Sequence, residues 1–319
     1  MSQPRWFVVL LVLAGLSAPS FAQEAVTLKW EFQKDKPFYQ EMKTTTNQTM
    51  KVTGMDITQK QEQTFIFSWT PKEQDKDKNW IINQKIEAIK MDIEMGGNKI
   101  NYDSAVPGTT NNPLSDFFKA LVGSEFKLTI SPEMKVLKIE GREEFMNKLL
   151  KANPQMEPLL KQILSEEALK QMADPAFAAV PTKPVKKGDT WERTSKLNMG
   201  PIGAYDTTYK YTYDGKDTKE PKLDKIKVVT SLTYQTPGPN AGGALPFKIK
   251  DANLKSKNAE GTILFDNVKH RLEKSEMKLT LEGKLTIDIS GTSTDVDLSQ
   301  EQKTTVTTSD TNPASPPKK

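Results

Sequence analysis

Asp75, Asp77 and Asn79 stand at alternate positions, as in the opening of a calcium loop, where carboxylate and amide oxygens converge on the ion. The rest of such a loop is missing. Trp80 occupies the place of the turn glycine and Ile86 that of the closing glutamate, so a charged hairpin loop explains the run better. Glu143-Glu144 and Glu166-Glu167 are carboxylate pairs, but both open predicted helices, where the helix dipole favours acids for structural reasons. Asp295 and Asp297 share the polar face of a predicted strand. A glycosidase needs two carboxylates converging across a cleft, which spacing along the chain neither supplies nor forbids. His270 is the only histidine and lies between Lys269 and Arg271, a setting for a solvated side chain. With no cysteine and one histidine, thiol nucleophiles, two-histidine zinc sites and redox pairs are excluded. Phosphate loops, dinucleotide fingerprints and nucleophile elbows are absent from the sequence. The expectation is therefore a protein without catalytic residues, metal or cofactor, with an oxygen-ligand or carboxylate-based hydrolase as the remote alternative.

Binding chemistry has better candidates. Phe117, Phe118 and Leu121 form the apolar face of a predicted helix, and Met146 and Met156 follow on the next helices. Aromatic rings with adaptable thioethers suit the lining of a hydrophobic-ligand cavity, although the same residues fill ordinary cores. Met172, farther along the helical block, suits the same lining. Tyr205, Tyr209, Tyr211 and Tyr213 share one strand face with Thr207, as a stacking platform for sugar or lipid or as plain cross-strand packing.

The elements that must position these residues follow from hydropathy period. Val26, Leu28, Trp30 and Phe32 alternate with polar residues, as do Phe65, Phe67 and Trp69, which predicts strands. Trp80, Ile82 and Ile86 share one phase while Ile89, Met91, Ile93 and Met95 share the other. One sheet face cannot hold both sets, so a β-bulge is expected near Glu87–Ala88. From about residue 112 to 180 the period becomes helical. Helices are expected from Pro113, capped by Asn112, over Arg142–Ala152, after Asn153-Pro154, and again after a kink at Ser165. Two short strands, Phe126–Ile130 and Lys135–Ile139, interrupt them. The most regular alternation comes last: Met277, Leu279, Leu281, Leu285, Ile287 and Ile289 against Lys278, Thr280, Glu282, Lys284, Thr286 and Asp288. One-sided burial of this kind belongs to antiparallel sheets. The fold class is α+β, mainly β: a long curved antiparallel sheet, half-barrel-like, packed on a central group of amphipathic helices.

Residues 1–22 read as a signal peptide. Arg5 supplies the positive end, Trp6–Leu16 the apolar run, and Ser20 and Ala22 the small residues of a cleavage site. The run is too short for the ~20 residues of a membrane-spanning helix. Residues 23–308 form a single β-rich domain, with strands over 25–103, a helical middle over 112–180 and strands over 189–308; 309–319 is expected to be a disordered tail. Charge is nearly balanced, 45 basic against 41 acidic residues, and interleaved, which gives no basic patch for nucleic acid. An exported, periplasmic or extracellular setting, with a bacterial envelope favoured, fits the leader and the lack of cysteine.

The stretch Pro184-Val185-Lys186-Lys187-Gly188-Asp189-Thr190-Trp191 is similar to a P-V-x-x-G-D-x-W element. That element occurs in a family of exported bacterial β-rich proteins known only as a domain of unknown function. The order of leader, strands, helices, this element and strands resembles that family over nearly the whole chain. The resemblance implies a fold and brings no activity. Helices held in a curled sheet are also similar to periplasmic lipoprotein carriers, by analogy of fold only. The expected function is an exported, non-catalytic envelope protein that binds a hydrophobic ligand (lipid or acyl chain) between curved sheet and helices. The alternative is a structural or protein-interaction component of the envelope that binds no ligand.

Overall fold

A computed structural model describes residues 24–106, 113–174, 177–238, 245 and 247–315. The expected leader, the Asn112 cap and the last residues of the tail lie outside them. The chain forms one open antiparallel sheet of 12 strands. Five belong to the first half: β1 (Phe38–Val52), β2 (Met55–Gln74), β3 (Trp80–Met95), β4 (Asn98–Asp103) and β5 (Glu125–Ile130). The short β6 (Val136–Glu140) precedes three helices, and β7 (Thr190–Asn198), β8 (Ala204–Lys216), β9 (Leu223–Gln235), β10 (Lys248–Asp266), β11 (Arg271–Ile289) and β12 (Thr292–Ser309) follow them. The spatial order is β6-β5-β3-β2-β1-β12-β11-β10-β9-β8-β7, with β4 beside β3. The first and last strands are thus neighbours in mid-sheet, where β1 pairs with β12 from Tyr39↔Ser309 to Val52↔Val296. The mainly-β class, the antiparallel pairing and the short helices are as the hydropathy period requires.

Local details follow side-chain chemistry. Ile66 pairs with Ala88 and Phe67 with Ile86, leaving Glu87 as the extra residue of the bulge that the phase change demanded. Glu87 is held there by a 2.7 Å hydrogen bond from the Ser68 hydroxyl. The helices are α1 (Pro113–Leu121), α2 (Arg142–Ala152), α3 (Glu157–Ile163) and α4 (Glu166–Ala173). Asn153 makes no side-chain cap, and a 3-10 turn over Pro154–Met156 carries the chain into α3. At Ser165 the helix restarts instead of kinking, because its hydroxyl accepts from the Ala168 amide at 3.1 Å and caps α4. Ser165→Ala is expected to cost about 1 kcal/mol, the usual value of such a cap, read as a shift in the urea midpoint with unchanged slope.

The first predicted strand is a correction. Residues 24–33 run outside the sheet: their one strand-type pairing is the bridge Val26↔Val185. Their alternation is real, since Leu28, Trp30 and Phe32 are buried, but it comes from crossing the end of the core. The tail also differs from expectation. Ser309 closes β12, and Asp310 pairs with the buried Arg271, whose guanidinium holds the Asp310 carboxyl below its usual range.

The sheet is curled. α4 packs on both β6 and β7, the two edge strands of the order above. The Asp174 carboxylate at its C-terminus accepts from the Val136 amide at 2.9 Å, and Gln171 accepts from the Asn198 amide at 3.2 Å. One short helix therefore staples the two edges together. The core fills the concave face at that end, in a cluster running from Leu128 and Ile139 on one flank to Tyr211 and Ile226 on the other.

Candidate hydrophobic-ligand site

The residues singled out for ligand binding are divided by the structure. Phe118 is buried in a small cluster with Ile86, Ile89, Met91 and Tyr102, its ring 5.3 Å from that of Tyr102. Met146 is buried in the main core, and Met156 packs against that core. Phe117 and Leu121 touch both clusters. Met172 is 43% exposed and lines no core. Beneath the helices Leu149, Leu160 and Phe177 are at most 1% exposed, so the space there is filled by side chains. The broad apolar faces of α1 to α4 are those of helices seated on a sheet.

The candidates for oxygen chemistry disperse. Both Asp75 carboxylate oxygens are engaged at 2.9 Å, by the Asp77 and Asn79 amides and the Asn79 side chain, and these bonds lower its pKa. The run is the β2–β3 hairpin loop. Glu144 pairs with Lys148 and Glu167 with Lys170 along their own helices. Asp295 accepts from Thr286, and Asp297 lies 3.7 Å from Lys284, both on the outer face. His270 sits in the turn before β11, 3.5 Å from Glu31.

The register shows what else the concave face carries. Residues paired across an antiparallel ladder share a face, and neighbours along a strand alternate. Starting from the core pair Phe38↔Trp69, the pairing assigns every second residue of the long strands to the concave side. Near the helices these are core residues. Farther out, the strands run beyond both clusters, and the concave row of β11 continues with Leu279, Leu281, Leu285 and Ile287, none of them in either cluster. On β12 Leu298 and on β1 Met50 are also half-buried and outside the clusters. This outer half of the curled sheet is an open trough.

The trough has two kinds of wall. Next to the apolar row of β11 lies a patch of amides and hydroxyls. Thr46 pairs with Gln61 and Gln302, Gln48 with Gln59 and Gln300, and Thr44 with Gln63 and Thr304. Hydrogen bonds tie the patch together: Gln59 to Gln61 at 3.1 Å, Gln61 to Gln63 at 3.0 Å, and Thr44 to Thr304 at 3.1 Å. Apolar residues flank it on both sides, Met91 and Ile93 from β3 and Met277 and Leu279 from β11. No Asp, Glu, Lys or His is registered to this face of β1, β2, β11 or β12 among the described residues beyond the helices. Arg193 on the edge strand β7 is registered to it, beside Tyr209. The tyrosine ladder is neutral as phenols are, and burial raises the pKa of Tyr205 and Tyr209 further, as it raises that of Tyr234 on β9 to about 12. The opposite face reads Lys43, Lys60, Glu62, Lys278, Glu282, Glu301 and Lys303, charged and solvated.

Hydropathy missed this patch because glutamine and lysine both score as polar. The signal was there in another alphabet: Gln59, Gln61 and Gln63 alternate with Lys60 and Glu62, uncharged against charged. The outer face carries its own groove of about 540 Å³, lined by Lys225, Lys227, Lys274, Glu260 and Glu276. Its interleaved charges do not suit an apolar ligand.

The Pro184–Trp191 element has a structural use. Val185 exchanges two backbone hydrogen bonds of 2.9 Å with Val26, which pins the amino-terminal segment across the core. Gly188, at φ +95°, makes the turn with Asp189, whose carboxylate accepts from the Lys186 amide at 2.8 Å. Trp191, the second residue of β7, stacks on Tyr211 at 5.5 Å.

No curated protein matches the chain in sequence. In fold it is similar to lipovitellin, in a structure titled "Lipid-protein interactions in lipovitellin", with TM-score 0.46 and 11% identity. That match covers 90% of this chain and 26% of the other, so the chain spans about a quarter of that protein's length. It is also similar to DynF from the dynemicin biosynthesis pathway of Micromonospora chersina, with TM-score 0.21 and 8% identity over 93% of this chain and 92% of that one. OccK5 of Pseudomonas aeruginosa gives TM-score 0.25 and 6% identity over 86% and 99%. Residues 77–233, from the β2–β3 loop into β9 and including the Pro184–Trp191 element, match the model of a family of unknown function, DUF6263.

Proposed function

We propose that this is an exported, non-catalytic envelope protein that holds the acyl part of a lipid against the open half of its concave face. The single observation that supports it most is the contrast between the two faces of the long strands. One face interleaves lysines and acids with threonines; the other, beyond the core, carries no Asp, Glu, Lys or His on β1, β2, β11 or β12 among the described residues and keeps Leu279, Leu285 and Ile287 half exposed. Burying an apolar chain against such a row removes water from both, at roughly 25 cal/mol per Å². Phe117 and Leu121 pack against both core clusters and belong to the filled end of the concave face. Export rests on the run Trp6–Leu16 with Ser20 and Ala22 behind it.

A structural or protein-interaction role is the second reading. Met55, Met95 and Ile289 favour it: all are exposed at the tips of the β1–β2, β3–β4 and β11–β12 hairpins, where a partner surface could cover them. The test is uptake of lipid by delipidated protein from mixed-lipid vesicles, read by native mass spectrometry. A lipid-bound species is expected. Leu279→Gln with Leu285→Gln should weaken it by about tenfold or more, since each leucine contributes ~1.5 kcal/mol of apolar burial. No uptake by the wild-type chain would hand the case to the second reading.

A further inference from the structure

The patch centred on Thr46 narrows the ligand, on the reading that the trough holds a lipid. We infer that the bound lipid is neutral: its polar part carries hydroxyls or amides and no ionised group, as in an acylglycerol. The reasoning is one of charge complementarity. A fatty-acid carboxylate or a lipid phosphate drawn onto the patch would lose water and meet no cation among the described residues of that face on β1, β2, β11 and β12; Arg193 stands on β7, on the far side of β8 to β11. A desolvated anion without a partner is costly. A glycerol hydroxyl is in the opposite position. Glutamine amides and threonine hydroxyls both donate and accept, so they match a group that does the same.

Geometry supports the same class. The patch is bordered by apolar rows on both sides, so a head seated on Gln61, Thr46 and Gln302 leaves its chain lying along Leu279 and Leu285. The side chains are also held in place before any ligand arrives. Gln61 donates to Gln63 and accepts from Gln59, while Thr44 and Thr304 share a hydrogen bond. Ordered amides lose little entropy on binding, which favours recognition over a merely wet surface. Charged residues of both signs occupy the alternate positions of the same strands, Lys60 and Glu62 among them, so the lack of charge is confined to one face.

Three probes of equal chain length separate the outcomes: monooleoylglycerol, oleate, and dioleoyl phosphatidylglycerol, each titrated against the delipidated full chain. Monooleoylglycerol is expected to bind at least about tenfold more tightly than either anion, the worth of one good hydrogen bond plus an avoided desolvation. Gln61→Leu with Gln302→Leu should erase that preference while binding of the hydrocarbon dye diphenylhexatriene and the thermal midpoint stay as they were. Gln302→Lys should reverse the order in favour of oleate. Equal affinity for oleate and monooleoylglycerol in the wild-type chain overturns the neutral-head inference and leaves lipid binding standing. Binding of none of the three, dye included, overturns both.

Discussion

Phe177→Ala is expected to destabilise the protein by about 3–5 kcal/mol, as phenylalanine truncation does in a packed core. The ring is 1% exposed and sits where the amino-terminal segment crosses the sheet. It meets Trp69 edge-on at 5.1 Å and Trp30 at 5.5 Å, and lies 6.0 Å from Phe32. These partners come from sequence-distant pieces, so no single element can move in to fill the hole. The loss combines apolar transfer, the empty volume and the edge-to-face contacts. Urea unfolding followed by tryptophan fluorescence measures it directly, since Trp30 and Trp69 report on this spot. A change below about 1 kcal/mol would mean that the segment is not docked as described.

Leu281→Asp is the second large effect. Leu281 is 5% exposed on the concave row of β11, opposite Gln300 and Ser256, with no cation registered near it. A carboxylate there is buried without a partner, which costs several kcal/mol or forces protonation. Its folded-state pKa rises above the unfolded value. The variant should therefore recover part of its stability as the pH falls toward and below the ordinary carboxylate range, and lose it as pH rises. Lys284→Ala, three positions on, is the control. Lys284 points to solvent on the outer face and reaches Asp297 at 3.7 Å, an exposed pair whose loss costs at most about 1 kcal/mol. Equal losses from the two changes would show that the strand faces are assigned wrongly.

The strands that could be read in the sequence are those whose faces differ in hydropathy. Met277 to Ile289 announces β11 because apolar residues alternate with lysine, threonine and acids, broken only at Gly283. The bulge at Glu87 was legible for the same reason: two phases of isoleucine cannot share a pleat. The helix Arg142–Ala152 showed its buried side through Phe145, Met146 and Leu149. What could not be read is long-range. Nothing local in β1 says that its partner is β12, and a pairing such as Gln40 to Thr308 leaves no trace in either segment. Val26 to Phe32 alternates like a strand because any extended chain buried on one side does so, whether or not it joins a ladder. The candidate site suffered most. Phe117, Phe118 and Met146 looked like a lining because core and ligand pocket ask for the same side chains. Gln61 and Gln302 carry no hydropathy signal, because a polar residue that faces a trough scores the same as one that faces bulk water.

The staple formed by α4 bears on how the protein behaves at high concentration. A sheet that never closes leaves two rows of unpaired amides and carbonyls, and each row is a template on which another copy can add a strand. In this chain the edges turn toward each other, and both are occupied from the same helix: Val136 gives its amide to Asp174, and Asn198 gives its amide to Gln171. An end-to-end stack of molecules would first have to peel that helix away. The curled sheet can thus keep an open mouth while one helix guards β6 and β7, the two ends of its strand order.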